Sequence, residues 1–306
     1  MNVSPSLART VVRVWGDVGR QWLDDLPSIV DEVLRRWGLR CDGALPMSLH
    51  WVASVTRDDG SPAVLKLGLP QADHQAVESA VLQAYAGRGA VRLIAHDPER
   101  GALLLQRADP GRQLRDLVLS DDERATAAIV AVVRALHAAP LPGGHTVPPL
   151  RRARAAFTDY LAQHPGDDVL PRRLVQAAAS LFDELVVSAG DPVLLHGDLH
   201  HDNVLSDERS ASGWVAIDPH GWVGDRGFDV GAMLYNPDPH VRSEALLRLV
   251  PGRIERLAAG LDLPVDRVVA WGFVMGVLSQ VWTVQDGGVA VGRPLDVARL
   301  LEPRLS

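Results

Sequence analysis

The stretch HGDLHHDNVLSDERSASGWVAIDP, residues 196–219, constrains this 306-residue chain more than any other. It is the densest run of polar side chains in the sequence, and short apolar runs bracket it: VLLH (193–196) where it begins and WVAID (214–218) near its end. Runs of that length read as short strands, so the polar residues belong to a loop held by strands, which is what a rigid reactive site requires. The useful spacing is His196-x-Asp198-x4-Asn203, with Asp218 fifteen residues after Asn203. A hairpin between them brings a carboxylate, an amide oxygen and a second carboxylate together.

Hard oxygen donors of this kind suit Mg2+, which keeps coordination positions for phosphate oxygens. Phosphoryl transfer asks little covalent chemistry of a protein. It needs a hydroxyl positioned in line and charge neutralised on the transferring group. In that chemistry Asp198 either accepts the hydroxyl proton late or orients the hydroxyl, while Asn203 and Asp218 hold the metal.

Such a site also needs a cation, and the charge inventory points to one. Of 31 Lys plus Arg residues, 30 are Arg, and the single lysine is Lys66. It lies in PAVLKL (62–67), which follows LHWVASVT (49–56) across the turn-rich RDDGS, so the pair predicts a hairpin with a loop slightly longer than the tightest type. Arginine does not replace a compact ammonium that must meet phosphate oxygens, which makes a lone lysine on a strand informative. Glu78, twelve residues on in the helical stretch 71–86, is placed to pair with it. The net charge of −7 argues against a nucleic-acid partner and suits a small cationic ligand.

The rest of the chain divides by pattern. Residues 21–37 predict an amphipathic helix ending at Gly38, with Pro27 as its point of division. VRLIAH (91–96) and ALLLQR (102–107) predict a second hairpin. Ser120 and Glu123 match a capping box that opens a helix from Asp121 to about Ala138. Helical patterns follow a Pro/Gly-rich excursion over 139–150, at 151–164, 171–189, 241–259 and 265–285. The expected fold is therefore α+β and bilobal. Its small antiparallel-sheet N-lobe (1–108) has one inserted helix and a helical extension over 1–40, and its C-lobe (109–306) is mainly helical and carries the catalytic loop.

One cysteine, Cys41, excludes an intramolecular disulfide framework and a Cys-rich zinc site. With no long apolar leader and no apolar run of membrane-spanning length, the expectation is a cytoplasmic monomer without a membrane partner.

HGDLHHDNVL, WVAIDPHGWVGDRGFDVGAML and DGSPAVLKL resemble the aminoglycoside phosphotransferase family, relatives of the protein kinases, and within it the streptomycin 6-phosphotransferase and hydroxyurea phosphotransferase group. The resemblance runs from about residue 45 to 285. It implies a protein-kinase-like fold, ATP and Mg2+ as cofactors, and transfer of phosphate to a hydroxyl of a small cationic antibiotic, streptomycin first, with resistance as the consequence. Hydroxyurea or a small metabolite is the alternative acceptor, and a silent nucleotide-binding pseudokinase the alternative class.

By the same resemblance Asp198 is the catalytic base, Asn203 and Asp218 are the magnesium ligands, and Lys66, fixed by Glu78, contacts the α- and β-phosphates. The backbone from Gln106 through Arg107 to Ala108 reads adenine, and Asp229 anchors the catalytic loop. Two departures stand out. GALPMSLHW (43–51) carries a single glycine where kinases have a Gly-rich loop, and Asp218-Pro219-His220 replaces Asp-Phe-Gly, keeping the ligand without the switch.

Asp225, Trp282 and Asp286 are the candidates for the acceptor, the acids to pair with guanidinium groups and the indole to stack on one. His196, His200, His201 and His220 lack the helical His-x3-His spacing of zinc hydrolases, and His196 reads as a structural hydrogen-bonder. The glycines at 221, 224 and 227 do not form a dinucleotide fingerprint, and no P-loop is present.

Overall fold

The computed structural model describes residues 3–45, 49–70, 72–144, 146–167 and 169–305. They pack as two units, Met1–Gly87 with Val91–Ala108, and Arg88–Ala90 with Asp109–Ser306.

The first unit opens on α1 (Pro5–Trp37), where the Ser4 hydroxyl accepts the Leu7 amide at 3.1 Å. The helix expected over 21–37 is the second half of this longer element. Its division falls at Gly16 rather than Pro27. Gly16 adopts φ 55° and ψ −126°, open to glycine alone, and the chain turns there so that Gly19 seats against Val11, whose carbonyl would lie 2.6 Å from an added Cβ. Pro27 stays within helical backbone.

The strands β1 (Leu39–Leu45), β2 (Trp51–Arg57), β3 (Pro62–Leu67), β4 (Leu93–Asp97) and β5 (Ala102–Gln106) form one antiparallel sheet in the order β1-β2-β3-β5-β4. The expected β2–β3 hairpin turns through Gly60 at φ 80°, and Asp59 accepts the Ser61 amide at 2.9 Å. Between β1 and β2, Pro46, Met47 and Ser48 of the glycine-poor segment lie outside the described residues.

Side chains alternate along these strands. Trp51, Ala53, Val55, Ala63, Leu65 and Leu67 join one face, which Leu7, Val11, Trp22, Leu26, Val30 and Val33 of α1 cover. Each large apolar group buried there contributes about 1.5–3 kcal/mol. Lys66, one residue out of phase, points to the other face, toward α2 (Asp73–Tyr85).

The second unit begins with β6 (Pro110–Gln113), α3 (Arg115–Val118) and α4 (Asp122–His137). The N-cap of α4 is Asp121, whose carboxylate accepts the Arg124 amide at 3.0 Å, while the Ser120 hydroxyl donates instead to the Leu117 carbonyl. The capping residue is thus one position later than Ser120 because the acid already stands where the first free amides point. After α5 (Arg154–Gln163) and α6 (Arg172–Val187), β7 (Val193–Leu195) enters the polar loop and β8 (Val204–Asp207) leaves it.

β9 (Trp214–Ala216) pairs with β8, which also pairs with β6; β10 (Trp222–Gly224) pairs with β7. A short α7 (Phe228–Gly231) follows. The helix expected over 241–259 is two, α8 (Glu244–Leu247) and α9 (Val250–Leu261), because Pro251 is tolerated only in a first turn.

The core helix is α10 (Val265–Gln285), and α11 (Arg293–Leu301) packs on it. By length and composition α10 is apolar enough to cross a membrane, yet 72% of its most apolar window is buried inside the protein. An all-round apolar helix is what a position among α5, α6, α7, α9 and α11 demands.

Candidate active site

In the first unit, the strand parity that turns Lys66 away from α1 brings its Nζ to 2.6 Å from Glu78 Oε2 on α2. Lys66 is 4% exposed and Glu78 is fully buried. The carboxylate offsets the ammonium's desolvation and holds it in one place. Gln106 ends β5, where its N–H is donated to the Arg92 carbonyl at 2.8 Å, and Ala108 follows two residues past the strand.

In the second unit, residues 196–203 connect β7 to β8. Asp229, at the start of α7, holds the beginning of this loop. Its Oδ2 accepts the His196 amide at 2.9 Å and its Oδ1 the Gly197 amide at 2.9 Å, while His137 Nε2 reaches Oδ2 at 3.0 Å. Burial works against charge on Asp229, and the bond and charge of His137, with the Gly197 amide, outweigh it and hold the carboxyl below its ordinary range. Gly197 has φ 85°, and the Trp222 ring leaves no room for a Cβ there. His196 is the structural hydrogen-bonder expected: Nε2 donates to the Ile217 carbonyl at 2.9 Å, Nδ1 accepts the Asp198 amide at 3.3 Å, and burial keeps the ring neutral by lowering its pKa.

The β8–β9 hairpin brings the chain back beside the loop, where the Ile217 amide donates to the Asn203 carbonyl at 2.9 Å. Asn203 and Asp218 are thereby neighbours. Asn203 Nδ2 donates to the Asp198 carbonyl at 3.0 Å and lies 3.4 Å from Asp198 Oδ2, which leaves the amide oxygen for another partner. Asp218 sits at φ 59°, a left-handed conformation uncommon outside glycine and tolerated best by Asn and Asp. No cluster of three or more His, Cys, Asp or Glu suited to a metal occurs among the described residues. An amide oxygen with one carboxylate fits a magnesium ion that takes its remaining ligands from phosphates and water.

Two imidazoles flank the same oxygen of Asp198: His200 Nε2 is 3.6 Å and His220 Nε2 3.7 Å from Oδ2. Burial raises the Asp198 pKa, and the His200 contact with the charges of His220 and His200 more than offsets it, so the net direction is down. His200 lies also 3.5 Å from the Asp202 carboxylate. Burial disfavours its cation, but the two carboxylates prevail and push its pKa up to about 9. Once deprotonated, its Nδ1 accepts the Asp202 amide at 3.2 Å.

The acceptor candidates fare differently. Asp225 is buried, its carboxylate bound to Arg267 and to the Gly227 amide, and a carboxylate neutralised internally is a poor guanidinium receptor. That expectation is set aside. Half-buried Trp282 and exposed Asp286 lie one turn apart at the end of α10, where the Asp286 amide donates to the Trp282 carbonyl at 2.9 Å. Sequence reasoning overlooked His137, Asp202 and Arg115; only the HHD run adjoining Asn203 carried a signal for any of them.

A five-stranded antiparallel sheet with a lysine–glutamate pair, and a helical unit with an anchored Asp-x4-Asn loop, define a protein-kinase-like phosphotransferase. A choline kinase from Streptococcus pneumoniae shares this fold at TM-score 0.62 and 12% identity, over 91% of this chain and 98% of that one. The chain belongs to the aminoglycoside/hydroxyurea antibiotic resistance kinase family, whose model matches residues 36–287. It is 34% identical over 302 residues to a streptomycin 6-kinase of Streptomyces glaucescens, covering 95% of this chain and 94% of that relative. It is 35% identical over 308 residues to a hydroxyurea phosphotransferase of Kitasatospora aureofaciens, covering 98% and 86%.

Proposed function

We propose that this protein is an ATP- and Mg2+-dependent O-phosphotransferase that phosphorylates streptomycin at its 6-hydroxyl, with antibiotic resistance as the outcome. The observation that carries this reading is the nearly full-length likeness to a streptomycin 6-kinase, beside a loop in which Asn203 contacts Asp198 and accepts the amide of Ile217, the residue before Asp218.

In this reading Met1–Ala108 is the nucleotide-binding part and 109–306 the catalytic and acceptor-binding part. Lys66, fixed by Glu78, contacts the α- and β-phosphates, and the backbone around Ala108 reads adenine. Asn203 Oδ1 and the Asp218 carboxylate hold magnesium, which when bound neutralises phosphate charge. Asp198 faces the acceptor hydroxyl. A carboxylate held below its usual pKa is a weak base, so its main work is to orient that hydroxyl and take its proton late, after the bond from the transferring phosphoryl group to ADP has loosened. Trp282 and Asp286 are the remaining acceptor candidates.

The likeness to a hydroxyurea phosphotransferase favours a second acceptor with the same chemistry. Nucleotide turnover measured with streptomycin, with hydroxyurea and with neither separates the readings. Streptomycin-dependent ADP release and a phosphorylated product are the expected result. Turnover with hydroxyurea alone moves the assignment to that acceptor, and binding without turnover in every mixture leaves a nucleotide-binding module.

A further inference from the structure

The catalytic loop is tied to a second, separately anchored loop by a line of alternating charge. It runs from Asp198 to His200, then to Asp202, Arg115 and Asp238. His200 Nε2 is 3.6 Å from Asp198 and its Nδ1 3.5 Å from Asp202 Oδ2. Arg115 Nη1 donates to Asp202 Oδ1 at 2.6 Å, and its Nη2 donates to Asp238 Oδ2. Arginine suits such a place because its planar fork reaches two carboxylates at once.

Both ends of this line are fixed by the chain. β6 pairs with β8, the strand that leaves the catalytic loop, and the Leu114 amide donates to the Val204 carbonyl at 2.9 Å. That pairing sets Arg115 beside Asp202, whose carbonyl also accepts from Gln113 Nε2 at 3.2 Å. At the far end, buried Arg293 donates to the carbonyls of Tyr235, Pro237, Asp238 and Val241. Buried Arg253 donates to the Asn236 carbonyl at 2.6 Å while paired with Asp122. Asp238 therefore stands on a loop whose backbone two guanidinium groups pin.

We propose that Arg115 is a positioning residue for phosphoryl transfer, holding Asp202 so that His200 stays balanced between Asp202 and Asp198. Arg115 takes Oδ1 of Asp202 and leaves Oδ2 to the imidazole. Without the guanidinium, Asp202 carries an uncompensated charge, draws His200 toward itself, and releases the Asp198 carboxylate from its orientation. The proposal rests on the reading of Asp198 as the group that faces the acceptor hydroxyl.

The test is steady-state kinetics with ATP and streptomycin for wild type, Asp198→Asn, Arg115→Ala, Asp202→Asn and the Arg115→Ala/Asp202→Asn double variant. Arg115→Ala and Asp202→Asn are each expected to lower kcat between about tenfold and a hundredfold with the KM for ATP within about twofold, the scale of a misplaced reacting group. The double variant is expected to be no slower than the slower single one. A purely structural role gives additive losses that follow the melting temperature and raise both KM values. Should Arg115→Ala not fold, Asp202→Asn and Asp238→Asn, which keep the side-chain shapes, carry the comparison. An inactive Asp198→Asn beside Arg115→Ala and Asp202→Asn at wild-type kcat overturns the proposal alone. An active Asp198→Asn, or a wild type without turnover, overturns the reading beneath it and the proposal together.

Discussion

Lys66 Nζ lies 2.6 Å from Glu78 Oε2 with both side chains buried, so the only lysine of an arginine-rich chain is spent on an internal ion pair. Removing one partner strands the other. Glu78→Ala is expected to cost about 3–5 kcal/mol of stability, read by denaturant melts. Lys66→Arg keeps the charge but replaces a compact ammonium by a planar fork. Its expected effect is a rise of about tenfold in the KM for ATP together with a fall in kcat, and wild-type values of both would reduce Lys66 to a structural partner of Glu78.

Asp198 is held by polar contacts, with Asn203 Nδ2 donating to its carbonyl at 3.0 Å. Asp198→Asn preserves shape and removes the charge that orients and deprotonates the acceptor. A loss of kcat of about 10²–10⁴ is expected, with nucleotide affinity measured by calorimetry changed less than threefold. Residual turnover above a tenth of wild type would withdraw the assigned role.

Much of the site was legible because its residues are close in sequence or set by strand period. His196 to Asn203 form one loop, and Lys66 is placed by alternation against Leu65 and Leu67, whose burial against α1 fixes its direction. What escaped depends on partners distant in sequence. Arg115 meets Asp202 and Asp238 across 87 and 123 residues, and no local pattern encodes that. The strand β1 escaped for another reason: LRCDGAL is an exposed edge strand with no buried face, so nothing imposed an apolar alternation to read. Asp225 misled because an acid in a loop looks solvated until Arg267, 42 residues on, is seen against it.

Asp229 gathers three donors on one carboxylate: His137 Nε2, the His196 amide and the Gly197 amide. Asp229→Asn forces an NH2 group against at least one of them. The expected cost is about 3 kcal/mol in chemical melts, with kcat reduced because the start of the catalytic loop loses its anchor. An Asn variant as stable and as active as wild type would show that the three bonds contribute nothing to the loop.

The histidines of the same loop pull stability in opposite directions with pH. His196 and His201 are buried with pKa values lowered from 6.5, chiefly by desolvation, so the unfolded chain takes up protons that the fold refuses. Their contribution is complete above about pH 6.5 and is lost as pH falls below it. His200 is the reverse: burial disfavours its cation, but Asp198 and Asp202 raise its pKa to about 9, so its contribution is complete below about 6.5 and is lost between there and 9. Melting temperature is therefore expected to peak near pH 6.5. His200→Gln should flatten the alkaline limb, worth up to about 3 kcal/mol, and leave the acid limb in place. His201, both of whose ring nitrogens are buried without a hydrogen-bond partner among the described residues, gives the complementary test. His201→Leu removes an orphaned polar ring, so it should soften the acid limb and raise stability by about 1 kcal/mol at neutral pH; an unchanged acid limb would assign that limb to His196 and the carboxylates alone.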